Sequence, residues 1–314
     1  MKEKQPILSI CIPTYNRAEI LRGNLAQLQK QLDSVNLDEL ELIVSNNCSP
    51  DHTEEVVRSF INQGMPIVYN CNKENLGADG NFLKCMDMAK GKYIWLLGDD
   101  DYLKGGALKY IIERLRGKEY GLVYIDFLHS SSADIQEYYE HNEFVRRVGR
   151  QWTFMSVHIF RKQVIKNVNA DKYINTCLLQ VPYYITSSMS QSTNAVINRE
   201  MIQIDVGNTP SPEKYNFLEV FSHNYNSITA DLLGSYPDIT RSSIAYVRKD
   251  EMNFIRTYIW HNLVRPFLRA PWKRDERWKY VWPYYGKKWY FYWIMFKCAL
   301  GQIRRDIKSI GSKH

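Results

Sequence analysis

The sequence predicts an α/β fold, a mainly parallel sheet wound from βαβ units, followed by a mainly helical extension. Three observations carry this expectation. Apolar runs of strand length alternate with helix-period segments through roughly the first 130 residues. The early runs end in polar loops rather than in tight hairpin turns. Past residue 256 the composition changes, and aromatic and basic residues interleave.

The elements follow in order. Residues 7–12 form an apolar run that ends in Pro13-Thr14-Tyr15-Asn16, and a helical pattern runs from 18 to 32. Residues 40–45 read as a second strand, 46–51 as a polar loop and 53–61 as a second helix. Asp51 is placed to cap that helix, with Glu54 and Glu55 at its positive end. A third strand is expected at 66–69, a turn at Asn75-Leu76-Gly77 and a helix at 79–89. The fourth strand, 93–97, closes on Gly98 and Asp99-Asp100-Asp101; a helix at 107–116 and a strand at 122–127 complete the regular part.

The pattern then loosens. Residues 130–142 are polar and are expected to form a mobile loop or lid, 154–160 a strand returning to the sheet, and 162–169 a short helix. Apolar stretches at 173–188 and 193–204 precede a Gly/Pro-rich break at 207–212 and a helix from 215 to 231. The expected division is a domain at 1–210 and a helical, basic-aromatic extension at 211–314.

A chain of 314 residues can bury a sizeable core. Its six cysteines are scattered, with no closely spaced metal-binding pair, and no signal peptide opens the sequence, so a reducing, cytoplasmic setting is expected. The net charge of +7 is unevenly placed: from residue 256 onward 14 Lys and Arg face three Asp and Glu, and six of the eight tryptophans lie there. The longest aromatic-apolar run in this tail covers residues 289–296, whereas a membrane-spanning helix needs roughly 20 residues.

Trp260, Arg265, Arg269, Trp272, Lys273, Arg274, Arg277, Trp278, Trp282, Lys287, Lys288 and Trp289 instead suit the headgroup region of an anionic bilayer. An interface between copies of the chain, giving a homo-oligomer, is the other reading. No zinc finger, recognition helix or RNP pattern accompanies the basic residues, which argues against nucleic acid.

The first, second and fourth strands each end in polar residues, and parallel strands place such ends on one edge, where α/β folds bind ligands. Thr14, Asn16 and Arg17, then Asn46 and Asn47, then the three aspartates would line one crevice. Amides could read a base or ribose, Arg17 could contact phosphate, and adjacent carboxylates make sense as holders of a hard cation. Alternation along an extended stretch would point Asp99 and Asp101 at one ion.

These segments resemble a known family. Ile10-Cys-Ile-Pro-Thr-Tyr-Asn-Arg17, Leu42-Ile-Val-Ser-Asn-Asn-Cys-Ser-Pro-Asp51, Glu74-Asn-Leu-Gly77 with Asn81, and Trp95-Leu-Leu-Gly-Asp-Asp-Asp101 are similar to successive motifs of inverting family 2 glycosyltransferases with the GT-A, Rossmann-like nucleotide-diphospho-sugar transferase fold. The resemblance covers about residues 5 to 130 and leans toward the abequosyltransferase-like branch, which builds O-antigen and capsule glycans. It implies a nucleotide-sugar donor and a divalent cation, Mn or Mg. It also implies a glycan acceptor, expected to be a polyprenyl-diphosphate-linked intermediate of bacterial surface polysaccharide at the cytoplasmic face of the inner membrane.

Carried over residue by residue, Pro13, Thr14, Asn16, Arg17, Asn46, Asn75, Gly77, Asp99 and Asp100 fall at donor-contacting positions, and Asp99 and Asp101 at the metal motif. Asn46 departs from the aspartate that many relatives carry. The acidic pair that commonly supplies the base has no clear counterpart; Asp171 is the candidate, with His158, Asp205 and Glu219 behind it. Trp152, in a region commonly on the acceptor side, could stack on a sugar, and Gln180, Tyr183 and Tyr184 could line a pocket. Two alternatives stay open, a non-catalytic glycan-binding or scaffold protein and a nucleotidyltransferase.

Overall fold

A computed structural model describes residues 5–127, 134–203, 215–269 and 275–311, with side chains described through residue 305 apart from that of Arg269. Asp205, the 207–212 break, Trp272, Lys273 and Arg274 lie outside the described residues. The chain forms two compact units, Met1–Lys214 and Tyr215–His314.

The first unit is built on β1 (Leu8–Thr14), β2 (Leu40–Asn46), β3 (Ile67–Cys71) and β4 (Tyr93–Leu96), all parallel, in the order β3-β2-β1-β4. Every residue of β1, β2 and β4 is buried, so both faces of these strands are covered and their sequences are mostly apolar, the buried Ser9 hydroxyl donating to Glu41 across β1 and β2. The crossovers are α1 (Ala18–Leu32), α2 (Thr53–Asn62) and α3 (Gly77–Met88). In α1 the buried residues Leu21, Leu25, Leu28 and Leu32 recur at helical spacing, as a core-facing stripe requires.

After β5 (Tyr102–Leu103), α4 (Ala107–Leu115) and β6 (Leu122–Ile125), the sheet is completed by β7 (Ile135–Tyr138), α5 (His141–Val148), β8 (His158–Arg161), α6 (Gln180–Met189) and β9 (Asn194–Ile197). The eight strands run in the order β3-β2-β1-β4-β8-β6-β9-β7, with β8 antiparallel between β4 and β6. A separate short pair joins β5 to β10 (Ile202–Gln203).

Three expectations change. Of the 130–142 segment, residues 130–133 lie outside the described residues, and the rest is no simple loop, because residues 135–138 pair antiparallel with β9, Ile135 opposite Ile197 and Tyr138 opposite Asn194. As a short edge strand with polar Gln136 and Glu137 inside it, β7 lacks the apolar run that would have marked it. The strand expected at 154–160 begins only at His158, since residues 149–157 wind through 3₁₀ turns. The helix expected from 215 to 231 is split into π-helical turns at Glu219–Asn224 and α7 (Tyr225–Ser235).

The second unit continues through α8 (Arg241–Ile259), a π-helical turn at Trp260–Val264, α9 (Arg265–Arg269), α10 (Trp278–Tyr285) and α11 (Trp289–Gly311). Thr240 caps α8, its hydroxyl accepting from Ser243 N at 3.2 Å. Leu218, Met252, Ile255, Ile259, Val281, Tyr285 and Phe291 form the core of the unit. Among the described residues, no helix is long and apolar enough to cross a membrane.

Candidate active site at the carboxyl edge of the parallel strands

The register of the sheet brings the motif loops together. Thr14 lies opposite Asn46 at the ends of β1 and β2, and the backbone pairing continues one step beyond the strands, Asn47 N donating to Thr14 O at 2.9 Å. β4 lies on the other side of β1, with Leu97 N donating to Cys11 O at 2.9 Å. The aspartates that follow therefore meet the first loop.

They meet it through charge. Thr14 Oγ1 donates to Asp99 Oδ2 at 2.7 Å; Arg17 Nη1 donates to Asp99 Oδ1 and Nη2 to Asp100 Oδ2, both at 2.6 Å. Asp99 is buried, and that burial pushes its carboxyl up to about 7, reinforced by Asp100 and Asp101 and opposed by Arg17 and Thr14. Burial also acts to lower Arg17, but Asp99, Asp100 and Asp101 outweigh it and raise the guanidinium. The Arg17 Nε is buried without a hydrogen-bond partner, leaving one donor of the fork unused.

Asp101 is held differently. Its carboxylate accepts from the Ser156 hydroxyl, which in turn accepts from Gly98 N at 2.8 Å. Asn24, on the buried stripe of α1, donates to Gly98 O at 3.2 Å and to Asp101 O at 2.7 Å. A Cβ added at Gly98 would stand 2.8 Å from Asp101 Oδ2 and 2.9 Å from Asp100 Oδ1, so these two carboxylates crowd the same glycine. Two carboxylates suit Mg or Mn, which keep waters and substrate phosphate as their remaining ligands. Among the described residues, no group of three or more His, Cys, Asp or Glu is placed to hold a metal by itself.

An amide network builds the opposite wall. Asn47 Nδ2 donates to Asn75 Oδ1 at 2.8 Å and to Gly77 O at 3.1 Å, while Asn47 Oδ1 accepts from Asn72 Nδ2 at 3.0 Å and Leu76 N at 2.9 Å. Gly77 has a φ of +71°, which a side chain would strain, and Asn75 Oδ1 accepts from its N–H at 2.8 Å. Asn81 Oδ1 accepts from Ser45 Oγ at 2.7 Å and from Asn72 Nδ2 at 3.0 Å.

Asn46 is occupied as well, donating to Tyr69 OH at 2.9 Å and accepting from Ser49 N at 2.9 Å. Asn16 takes a left-handed φ of 55° and donates its N–H to Ser49 Oγ at 2.9 Å. Asp51 accepts from Ala18 N at 2.9 Å and from Thr53 N at 3.1 Å, tying the starts of α1 and α2 together.

Between these walls lies a cleft of about 270 Å³, lined by Pro13, Thr14, Tyr15, Arg17, Asn47, Ala78, Asn81, Phe82, Gly98, Asp99, Asp100 and Met155. Of the expected donor-side residues, Pro13, Thr14, Arg17, Asp99 and Asp100 line it directly. Asn16, Asn46, Asn75 and Gly77 shape the loops around it. Sequence reasoning missed Tyr15, Asn24, Tyr69, Asn72, Phe82 and Ser156. Only Asn24 left a signal, as a polar residue inside the Leu21–Leu25–Leu28 stripe.

The acceptor-side expectations fare differently. Trp152 is fully buried and stacks on His158, ring centroids 5.7 Å apart, so it has no face to offer a sugar. Gln180 is buried and donates to Thr153 O at 3.0 Å; Tyr183 and Tyr184 are fully buried, the latter donating to Met155 O at 3.0 Å. These residues build the core under the site. His158 is fully buried among Trp152, Tyr124 and Tyr184, and burial depresses its pKa to about 3.

Asp171 is exposed on the Ala170–Lys172 turn, outside the cleft lining, and Glu219 belongs to the helical unit. The chain just after Asp171 is tied to α3, because Asp79 Oδ2 accepts from Cys177 N at 3.0 Å.

The parallel block, the acidic loop after its fourth strand and the helical C-terminal region define a mixed α/β protein of the GT-A glycosyltransferase type. The chain belongs to glycosyl transferase family 2, whose model matches residues 9–183. It is 33% identical over 175 residues to an abequosyltransferase of Salmonella typhimurium, covering 55% of this chain and 48% of that protein. It is 34% identical over 110 residues to the GalNAc(5)-diNAcBac-PP-undecaprenol beta-1,3-glucosyltransferase of Campylobacter jejuni, covering 35% of this chain and 34% of that one. The chain thus spans about half the length, or less, of these curated relatives.

Among solved structures it is similar to residues 1–349 of S. aureus TarS, with a TM-score of 0.62 at 15% identity, covering 82% of this chain and 75% of that one. It is also similar to a mannosyltransferase from Pyrobaculum calidifontis in complex with GDP-Man and Mn2+, with a TM-score of 0.55 at 12% identity, covering 86% and 76%. These likenesses concern the fold.

Proposed function

We propose that this protein transfers a sugar, with inversion, from a nucleotide-sugar donor to a glycan acceptor in a divalent-cation-dependent reaction. The observation that carries the reading is the meeting of Arg17 with Asp99 and Asp100 at the floor of a cleft walled by the Asn47 network. A diphosphate bridged by a divalent cation is the ligand whose charge suits a carboxylate pair beside an arginine fork.

Asp101 and Asp100 would hold the Mg or Mn ion. Asp99, which the spacing paired with Asp101 as a ligand, instead backs the site as the anchor of Thr14 and Arg17. Once bound, the cation would neutralise charge on the leaving diphosphate. Thr14, Arg17 and Asn47 orient the donor, and Tyr15 and Phe82 offer apolar surface to the base or the sugar. Asn46 holds Tyr69 and the 46–51 loop, and each end of its amide keeps a further donor or acceptor for the base.

Asp171 is our choice for the base that takes the acceptor hydroxyl proton. It is exposed, and the segment after it is tethered to α3, whose residues Ala78, Asn81 and Phe82 line the cleft. The likeness to a Salmonella abequosyltransferase and to a Campylobacter enzyme named for an undecaprenol-linked acceptor supports a lipid-linked surface glycan as the acceptor class. The abequosyltransferase-like branch is the one this likeness favours, and a lipid-linked acceptor would put the reaction at the cytoplasmic face of a bacterial inner membrane.

The test is a donor screen with Mg or Mn against cell-extracted lipid-linked glycans, read by sugar transfer and by donor hydrolysis. Transfer that requires the cation and inverts the anomeric centre is the expected result. Neither transfer nor hydrolysis with any donor would leave a glycan-binding role as the better reading.

A further inference from the structure

Helix α11 carries two apolar faces. Phe291, Ile294 and Met295 are buried in the core of the helical unit. On the opposite side Trp289, Trp293, Phe296, Leu300 and Ile303 are exposed, Trp289 at 73% and Ile303 at 53%. Their spacing of four, three, four and three residues sets them in one stripe. The stripe runs about 21 Å at the rise of an α-helix. A stripe of that length on a protein surface marks an interaction site.

Charge identifies the occupant. No Asp or Glu occurs from Trp278 to Arg305, whereas Lys279, Lys287, Lys288, Lys297, Arg304 and Arg305 do. The same 3-4 spacing would suit a helix from a second copy. In that pairing the flanking positions would present Lys297 and Arg304 with Asp306 as the one acidic residue, so few opposite-charge pairs could form across the seam.

Beside the stripe, α8 and α11 enclose a groove of about 460 Å³ lined by Arg256, Lys297 and Arg305 together with Asn253, Thr257 and His261. Neither Arg256 nor Lys297 forms an ion pair among the described residues, and Lys297 instead lies 5.1 Å from the Trp293 ring. Trp260 also lines the groove, with its indole Nε1 buried and unpartnered. Cations in a groove beside an apolar stripe of tryptophan and phenylalanine match a phosphate headgroup above its acyl chains.

We propose that α11 seats this protein on an anionic bilayer, the Trp289–Ile303 stripe entering the interface and the Arg256–Lys297–Arg305 groove receiving a lipid phosphate. This deepens the lipid-linked acceptor reading and rests on it for its purpose. The seating is tested apart from sugar transfer.

The test is flotation of the full-length protein with phosphatidylglycerol-containing vesicles and with pure phosphatidylcholine vesicles, with donor hydrolysis assayed alongside. Wild type should float with the anionic vesicles alone. Trp293→Ser with Phe296→Ser should reduce binding by about tenfold or more. Arg256→Gln with Lys297→Gln should weaken it several-fold and flatten its salt dependence. Both double variants should keep the wild-type melting temperature and donor hydrolysis, since the substituted side chains are surface groups of the helical unit.

Wild type that fails to float, or that binds neutral vesicles equally well, overturns the proposal. So does a vesicle-free dimer that the Trp293/Phe296 variant abolishes, because the stripe then belongs to a second copy. Flotation without any donor hydrolysis would leave the seating intact and defeat the catalytic reading instead.

Discussion

Arg17 grips Asp99 and Asp100 with one guanidinium, each pair of atoms 2.6 Å apart, and so joins the loop after β1 to the loop after β4. The fork geometry matters here, because a lysine carries a point charge that cannot serve two carboxylates in fixed directions. Arg17→Lys should keep the fold and lower turnover by about a hundredfold, the scale expected when reacting groups are misplaced by an ångström. Steady-state kinetics against donor concentration check this; near-wild-type turnover would remove Arg17 from the site.

Gly98 is the contact point of Asp100 and Asp101, and a methyl group there would press on both carboxylates. Gly98→Ala should therefore raise the Mg or Mn concentration needed for half-maximal activity, while cation-free nucleotide binding changes little. Titrating activity with the metal separates the two effects. Asp101→Asn should act in the same direction and more severely.

The buried His158 is held neutral, its pKa depressed to about 3 by burial and partly restored by Phe154 O. A base depressed in the folded state stabilises fully above its unfolded value near 6.5, and that stability is lost as pH falls toward 3. His158→Phe should flatten the acid side of the melting-temperature profile between those values. Asp99 has the opposite sign: raised to about 7 by burial, it favours folding below its ordinary value of 3.8, and that contribution is lost as pH rises through 7. Asp99→Asn should therefore make the net acid loss steeper across the same window.

Asn81 ties Ser45, Asn72 and the start of α3 into one network, also donating to Ser45 O at 2.9 Å. Truncation to alanine strands buried donors and acceptors. Asn81→Ala should cost about 1–3 kcal/mol in urea unfolding and should weaken nucleotide affinity, since the residue also lines the cleft.

Asp171→Asn separates acceptor chemistry from donor binding. Loss of the proton acceptor should lower kcat by about 10²–10⁴-fold with donor affinity retained. Unchanged transfer would move the base elsewhere.

The parallel block was legible because strands buried on both faces are apolar along most of their length, and the polar segments that follow read as loops. The acidic triplet, the Asn75-Leu76-Gly77 turn and the Arg17 loop could be placed on one edge by topology alone. Side-chain partnerships could not be read in the same way. Thr14 and Asp99 are 85 residues apart and Ser156 and Asp101 are 55 apart, so their pairing depends on strand register and on turns that carry no periodicity. β7 escaped notice for a related reason, since an edge strand needs only one partner and can stay polar.

By itself, the sequence determined the order of the elements, the chemistry gathered at the strand ends and the basic-aromatic character of the tail, all of which follow from local pattern and composition. Tertiary structure alone decided which two carboxylates anchor Arg17 and which two crowd Gly98. It turned Trp152 and Tyr184 inward while leaving Trp289 and Trp293 exposed. Burial and hydrogen-bond partnership are properties of distant segments brought together, and an aromatic residue reads the same in sequence whether its ring fills a core or faces solvent.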